Sequence, residues 1–300
     1  MRAFDARRSV RVDGLHRTER RPSVRARLVI GERTAGGESG GAWHGTLDGE
    51  PVIVKRGEAE ARPRVAAVAD LLDRLRARGV PTPSYTLLDD DDGELVFVQT
   101  VLPGRTDDVP TPALVEDVLR VSELLGDVPD VPMIRDVDWP VLLHRTLTIG
   151  EDGWCQHEPM RHHSDRTRRL LDRVLAHGDA LDLTAVPTTD VVHLDLHHHN
   201  VLVGDDDRLT GIIDWDGVLP GDRWFDVVYF AMSAEAWVPS SAVLQPLYAA
   251  AEAHVVPALL GAYVAHVALR HVEWQLTHHT AADAEVRLDR FEPLLDRYPA

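Results

Sequence analysis

Asp195, Asn200 and Asp214 stand at spacings that let three oxygen-bearing side chains converge on one pocket. The first two are five residues apart in Val192-His193-Leu194-Asp195-Leu196-His197-His198-His199-Asn200-Val201-Leu202-Val203, and the third ends the next strand-like run, in Gly211-Ile212-Ile213-Asp214-Trp215-Asp216. Hard oxygen ligands such as Asn200 and Asp214 suit Mg²⁺, which takes one or two carboxylates and completes its shell with water and substrate phosphates. Asp195 would then face an incoming nucleophile. Lys55 is the only lysine in the 300 residues. A chain that meets every other need for positive charge with arginine keeps an ammonium at this one position. An ammonium is a compact point charge that can sit between two phosphates, where the broad guanidinium fork needs a different cavity.

The elements that must position these groups fall into two sets. Val24 to Thr34 and Trp43 to Lys55 read as short strands, with Leu47-Asp48-Gly49-Glu50 as a hairpin turn and Gly36-Gly37-Glu38-Ser39-Gly40-Gly41 as a loop ahead of Lys55. Backbone N–H groups of such a loop can approach phosphate oxygens closely, with Gly36, Gly37 and Gly40 supplying the conformational freedom and Ser39 a further donor. Val65, Val68, Leu71, Leu72 and Leu75 recur at helical spacing over Pro63 to Arg78, and Gly79 with Pro81 ends that helix. Strands at Tyr85 to Leu88 and Leu95 to Gln99 complete a small antiparallel sheet. After Val101-Leu102-Pro103-Gly104 the pattern turns helical: Pro112 to Leu125, Asp165 to His177, Asp222 to Ala236, Ser241 to Glu252, Val256 to Gln275 and Ala282 to Arg297. Only Val201 to Val203 and Leu209 to Asp214 interrupt it, as a short hairpin. The expected fold class is α+β with two lobes, divided as 1–22, a flexible lead-in; 23–104, a β-rich nucleotide-binding lobe; and 105–300, a mainly helical catalytic and substrate-binding lobe.

His-x-Asp-x-x-x-x-Asn followed by Ile-Asp-Trp resembles the catalytic and metal-binding segments of the aminoglycoside phosphotransferase family, which shares the protein-kinase-like fold with choline kinase. The resemblance runs from about Gly36 to Phe230 and is most specific from Asp195 to Trp215. It implies an ATP-dependent kinase: Lys55 on the α- and β-phosphates, Asp195 as the catalytic carboxylate, and Asn200 and Asp214 on Mg²⁺. His193 would brace the catalytic loop and Asp226 would support it from the next helix. The adenine would meet the hinge near Gln99, Thr100 and Leu102. Phosphoryl transfer runs through a loose transition state, so positioning and charge neutralisation supply most of the catalysis. Many relatives pair the strand lysine with a helix glutamate. Here Asp70 lies opposite the apolar stripe and Glu60 sits too close in sequence, so that pair stays unassigned.

Composition narrows the acceptor. A formal net charge of -17 speaks against a phosphate-backbone binder and fits a cationic small molecule. Asp216, Glu235, Glu273 and Asp283 could border the catalytic loop as an acidic wall, and Trp215, Trp224 and Trp274 are candidates for pocket or core. The resulting expectation is transfer of the γ-phosphate to a hydroxyl of an aminoglycoside-like antibiotic. A metabolic kinase of an amino alcohol, sugar or glycated amine, and a nucleotide-binding regulator without catalysis, are the rivals. Cys155, the single cysteine, excludes an intrachain disulfide and points to the cytoplasm. The apolar stretch Val255 to Leu269 is too short to span a bilayer. His197 to His199 offer a metal little, because neighbouring side chains on an extended loop diverge and no second cluster completes a tetrahedral set. Oligomeric state leaves no trace in the sequence.

Overall fold

The computed structural model describes residues 7–12, 25–34, 41–89, 94–107, 109–132, 138–235 and 242–300. It has the two-lobed α+β, protein-kinase-like fold expected from the sequence. The chain divides into one unit of Met1–Pro103 with Gly211–Asp216 and a second of Gly104–Thr210 with Gly217–Ala300. The short segment at 211–216 therefore belongs with the N-terminal unit, although it lies far along the sequence.

In that unit β1 (Arg7–Val12), β2 (Arg25–Arg33), β3 (Ala42–Leu47), β4 (Glu50–Gly57), β5 (Tyr85–Asp89) and β6 (Leu95–Thr100) form an antiparallel barrel in the order β1-β2-β3-β4-β6-β5. Pairing of β1 with β5, Arg11 opposite Asp89 and Val12 opposite Leu88, closes it. Arg7–Val12 lies inside the stretch expected to be a flexible lead-in; it is instead a strand bonded on both sides. The β3–β4 turn carries positive φ at both Asp48 (52°) and Gly49 (93°), as a two-residue hairpin whose twist matches its strands requires. Leu28, Val52, Val54, Leu88, Val96 and Val98 fill one apolar cluster. Because side chains alternate across a strand, burying Val52 and Val54 sends Lys55 to the opposite face of β4. Helix α1 (Arg62–Ala77) buries Val68, Leu71, Leu72 and Leu75 and ends at Gly79, whose φ of 97° only glycine adopts readily.

The second unit is built on α2 (Pro112–Leu124), α3 (Trp139–Thr148), α4 (His157–His163), α5 (Asp165–Ala180), α6 (Trp224–Glu235), α7 (Gln245–His254), α8 (Pro257–His278) and α9 (Ala281–Arg297). Helices α3 and α4 fall where the sequence announced no element. Strand β7 (Asp190–Val192) pairs with β10 (Leu219–Gly221), and β8 (Val201–Val203) with β9 (Leu209–Ile212). A Cβ on Gly221 would lie 2.7 Å from Val192 Cγ2 and 2.8 Å from Trp139 Cγ, so glycine is what lets β10 close on β7 and α3 together. Asp117 of α2, itself buried, accepts the N–H of Leu209 and a guanidinium bond from Arg208, which ties down the start of β9. No helix among the described residues is long and apolar enough to cross a membrane.

Helix α8 runs through the core of this unit and is buried from Leu259 to Leu269. His266 sits there with no exposed surface, ringed by Phe225, Trp154 and Trp139 at centroid distances of 4.9, 5.8 and 6.4 Å. Burial, reinforced by Arg270, pushes its imidazole down to about 3. A histidine depressed in the folded state binds fewer protons than in the unfolded chain between its two pKa values. Stability is then complete above about pH 6.5 and falls as pH drops toward 3. On the order of 3 kcal/mol should be lost between pH 7 and pH 4 through this group alone. In urea titrations at the two pH values, His266→Phe should show a correspondingly smaller difference, and an unchanged pH dependence would refute the assignment.

Candidate functional site

Within the N-terminal unit Lys55 is the centre of a charge cluster. Its Nζ donates to Asp214 Oδ1 at 2.6 Å and to Asp216 Oδ2 at 2.7 Å, with 16% of the side chain exposed. Both partners come from the segment that re-enters this unit, not from α1 or the turn before it, where Asp70 and Glu60 respectively are exposed. Burial opposes the ammonium, but Asp216 and Asp214 outweigh it and hold Lys55 above its usual value. The segment is anchored around the pair: Ile212 donates its N–H to the Pro81 carbonyl, the Trp215 indole donates to the Ile212 carbonyl, and Arg64 donates to the carbonyl of Asp216. Asp214 itself has φ of 65°, a left-handed conformation that aspartate tolerates better than most residues.

In the second unit the loop after β7 carries His193, Asp195 and Asn200. Asp226, on the first turn of α6 and 1% exposed, accepts the backbone N–H of His193 at 2.6 Å and of Leu194 at 3.0 Å. Burial pushes its carboxyl up to about 8, against the pull of those two bonds. Leu194 takes φ of 70°, a strained value for a leucine, and the clamp on its N–H holds it there. The buried His193 ring accepts the N–H of Asp195 on Nδ1 at 3.3 Å. Asn200 donates Nδ2 to the Asp195 carbonyl at 2.9 Å, so its amide oxygen is the atom left to serve as a ligand.

The Asp195 carboxylate is only partly buried and is held on one oxygen. Oδ1 accepts from Arg270 Nη2 at 2.8 Å and from the Tyr229 hydroxyl at 3.0 Å, while Oδ2 has His197 Nε2 at 3.8 Å, beyond hydrogen-bond reach. Burial works against its charge, but Arg270, followed by His197, His193 and the Tyr229 hydroxyl, keeps the carboxyl below the ordinary aspartate range. Neither Arg270 nor Tyr229 figured among the sequence candidates. Tyr229 lies one helical turn beyond Asp226, and Arg270 is the charge that follows the buried run of α8; those are the signals that could have found them.

Of the remaining expected residues, Gly36, Gly37, Ser39 and Gly40 lie outside the described residues; Gly41, at the end of that loop, has φ of 67°. Gln99 is buried near the end of β6, Thr100 is exposed, and Leu102 follows in the hinge. The acidic wall is not laid out as expected. Asp216 is engaged by Lys55; Glu235 is buried in α6; Glu273, 2% exposed, accepts the N–H of Cys155 at 3.1 Å. Asp283 caps α9 through Thr280. Burial raises the Glu273 carboxyl, as it must for a group withdrawn from water. Trp215 is fully buried, whereas Trp224 stacks on His254 and Trp274 on His278. In the histidine run His198 contacts Ser233 Oγ at 3.0 Å and His197 accepts the N–H of His199, and no cluster of three or more metal-ligating His, Cys, Asp or Glu exists among the described residues.

Residues 31–286 match the model of the phosphotransferase enzyme family. The chain belongs to that family. Among solved structures, a thermostable mutant of aminoglycoside phosphotransferase APH(4)-Ia, in ternary complex with ADP and hygromycin B, aligns with a TM-score of 0.60 at 15% identity, over 89% of this chain and 94% of that one. Choline kinase LicA from Streptococcus pneumoniae gives 0.60 at 15%, covering 89% and 93%. Spectinomycin phosphotransferase APH(9)-Ia, in complex with ADP and spectinomycin, gives 0.56 at 14%, covering 91% and 90%. At these identities the likeness is one of fold. No curated protein sequence matches the chain.

The clamp on the phosphotransferase loop makes a specific demand. Both Asp226 oxygens accept backbone N–H groups, and an amide at that position can accept with only one. Asp226→Asn should therefore lower stability by about 1–3 kcal/mol, the cost of a buried donor left unsatisfied. Thermal or urea unfolding at pH 7 measures it, and wild-type stability in this variant would mean that the loop is held by other contacts.

Proposed function

We propose that this phosphotransferase moves the γ-phosphoryl group of ATP to an alcohol hydroxyl of a small organic molecule, with Asp195 as the catalytic carboxylate. The observation that carries the reading is the state of Asp195: ionised, fixed through one oxygen, and mounted on a loop whose backbone is locked by Asp226 and His193. A nucleotide-binding regulator has no use for such a group. In the reaction the acceptor oxygen bonds to the γ-phosphorus while the bond to the β,γ-bridging oxygen breaks. The electron pair leaves with ADP, and the hydroxyl proton passes to Asp195 late in the step.

Lys55 supports this as the point charge for the triphosphate. Between two carboxylates it is held charged and in place before any nucleotide arrives, which is the preorganisation that electrostatic catalysis needs. Asn200 and Asp214 present hard oxygens suited to Mg²⁺, and that ion, when bound, neutralises charge on the phosphate oxygens. The adenine is assigned to the hinge at Gln99, Thr100 and Leu102, and the phosphates to the loop of Gly36, Gly37, Ser39 and Gly40. ADP in the complexes of two solved relatives supports the choice of nucleotide.

For the acceptor, the antibiotics held by those relatives support an aminoglycoside-like molecule, as does the net charge of -17, which favours encounter with cations. Asp216, Glu235 and Glu273 give that choice no direct support, since each is engaged or buried. The second reading is a metabolic kinase of an amino alcohol or sugar, for which the choline kinase likeness speaks. The cytoplasm, where ATP is abundant and the lone Cys155 stays a thiol, is the assigned compartment.

ADP release measured across a panel of hydroxyl acceptors tests the activity. Asp195→Asn should lower kcat by roughly 10²-fold or more with little change in ATP affinity; equal loss of both would make Asp195 a structural residue. Lys55→Arg should also cut turnover about tenfold or more, because a guanidinium can still pair with the two carboxylates but is longer and spreads its charge away from the point that the ammonium occupies at 2.6 and 2.7 Å from them. Wild-type rates in that variant would remove Lys55 from the mechanism.

A further inference from the structure

The surroundings of Asp195 have the make-up of a receptor for an organic cation, and the cation is part of the chain. Arg270 projects from α8 with its guanidinium carbon 5.0 Å from the centre of the Tyr229 ring and 5.2 Å from that of Trp154. Its Nη2 bonds to Asp195 Oδ1 at 2.8 Å and its Nη1 to the Leu194 carbonyl at 2.7 Å. A carboxylate with aromatic faces around it is the arrangement that holds ammonium ligands through cation–π attraction. Here those faces and that carboxylate are already taken, by a guanidinium whose side chain is only 20% exposed.

We propose that Arg270 is a built-in cation that fills the ammonium subsite beside the base and, by forking between Leu194 and Asp195, turns the carboxylate so that Oδ2 receives the acceptor hydroxyl. The inference rests on the reading of Asp195 as the catalytic carboxylate. Three features carry it beyond an ordinary ion pair. The bond to the Leu194 carbonyl fixes the fork to the loop backbone as well as to the side chain. The Tyr229 hydroxyl doubles the load on Oδ1, leaving the two oxygens unequal. Glu273, the carboxylate one turn further along α8, is turned to the Cys155 N–H instead of to an acceptor. The acceptor class that follows is a hydroxyl compound whose reacting end is uncharged, such as a polyol or sugar ring. An amine directly beside the reacting hydroxyl would meet Arg270.

In the acceptor panel Arg270 acts as a positioning residue, through Asp195. Arg270→Ala should lower kcat for the best wild-type acceptor by about 10²-fold, the scale on which misplacing a reacting group acts, with the KM for ATP unchanged. Guanidinium ion at low millimolar concentration should restore a measurable part of that rate by re-entering the vacated space. Binding of tetramethylammonium, followed by calorimetry, should appear in Arg270→Ala and be absent from the wild type. Arg270→Lys keeps the charge but cannot fork, and should remain impaired and insensitive to guanidinium. Should Arg270→Ala fail to fold by circular dichroism, Arg270→Gln takes its place in every arm. Wild-type kcat in these variants, or a loss that guanidinium does not relieve together with no tetramethylammonium binding, would overturn the proposal. If Asp195→Asn proves fully active the catalytic reading fails by itself, and the tetramethylammonium arm still decides whether Arg270 occupies a cation subsite.

Discussion

Two consecutive backbone N–H groups, those of His193 and Leu194, converge on the buried carboxyl group of Asp226, and the rest of the loop around Asp195 takes its place from there. A leucine at φ of 70° does not hold that conformation unaided. With Leu194 fixed, the Asp195 N–H meets the His193 ring, its carbonyl meets Asn200, and its carboxylate meets Arg270 and Tyr229. Each contact constrains one rotatable bond of the same residue. The loop is short, yet almost every polar group on it is committed, which is how an irregular backbone keeps a defined geometry without regular secondary structure.

The N-terminal unit solves a different problem, that of holding a single, largely buried ammonium in place. Two carboxylates around one lysine leave a net negative cluster. Asp214 contacts Lys55 through Oδ1 while 45% of its side chain is exposed, and Asp216 contacts it through Oδ2. Asp216, read from sequence as part of a substrate wall, is one of the two carboxylates bonded to Lys55.

Much of this was legible in the sequence because it rests on local patterns. Alternation in β4 and the 3.6-residue stripe of α1 depend on near neighbours, and the spacing from His193 to Asp214 is a property of one loop and one hairpin. What escaped depends on distant partners. β7 and β10 are three residues each and are strands only because they pair with one another. Helix α3 begins at Trp139 behind the Asp138 cap, and although Trp139, Leu142, Leu143 and Leu147 recur at helical spacing, a stripe confined to ten residues is too short to announce a helix by itself. Arg270 reads as a polar interruption in an apolar helix until the fold brings Asp195 and Trp154 to it. The acidic wall failed for the reverse reason: a charged residue in a sequence carries no mark of whether the fold will spend it on solvent, on a backbone N–H as with Glu273, or on a lysine as with Asp216.

The excursion of 211–216 into the N-terminal unit has a bearing on how such enzymes can be taken apart or recombined. A fragment stopping at Pro103 would keep the barrel strands and Lys55 but would lack both counter-charges and the strand end bonded to Pro81. The N-terminal unit is therefore not a contiguous cassette. Grafting it between family members means carrying a six-residue passenger embedded in the other half of the gene, and exchange at a single crossover point would separate the ammonium from the carboxylates that evolved to flank it.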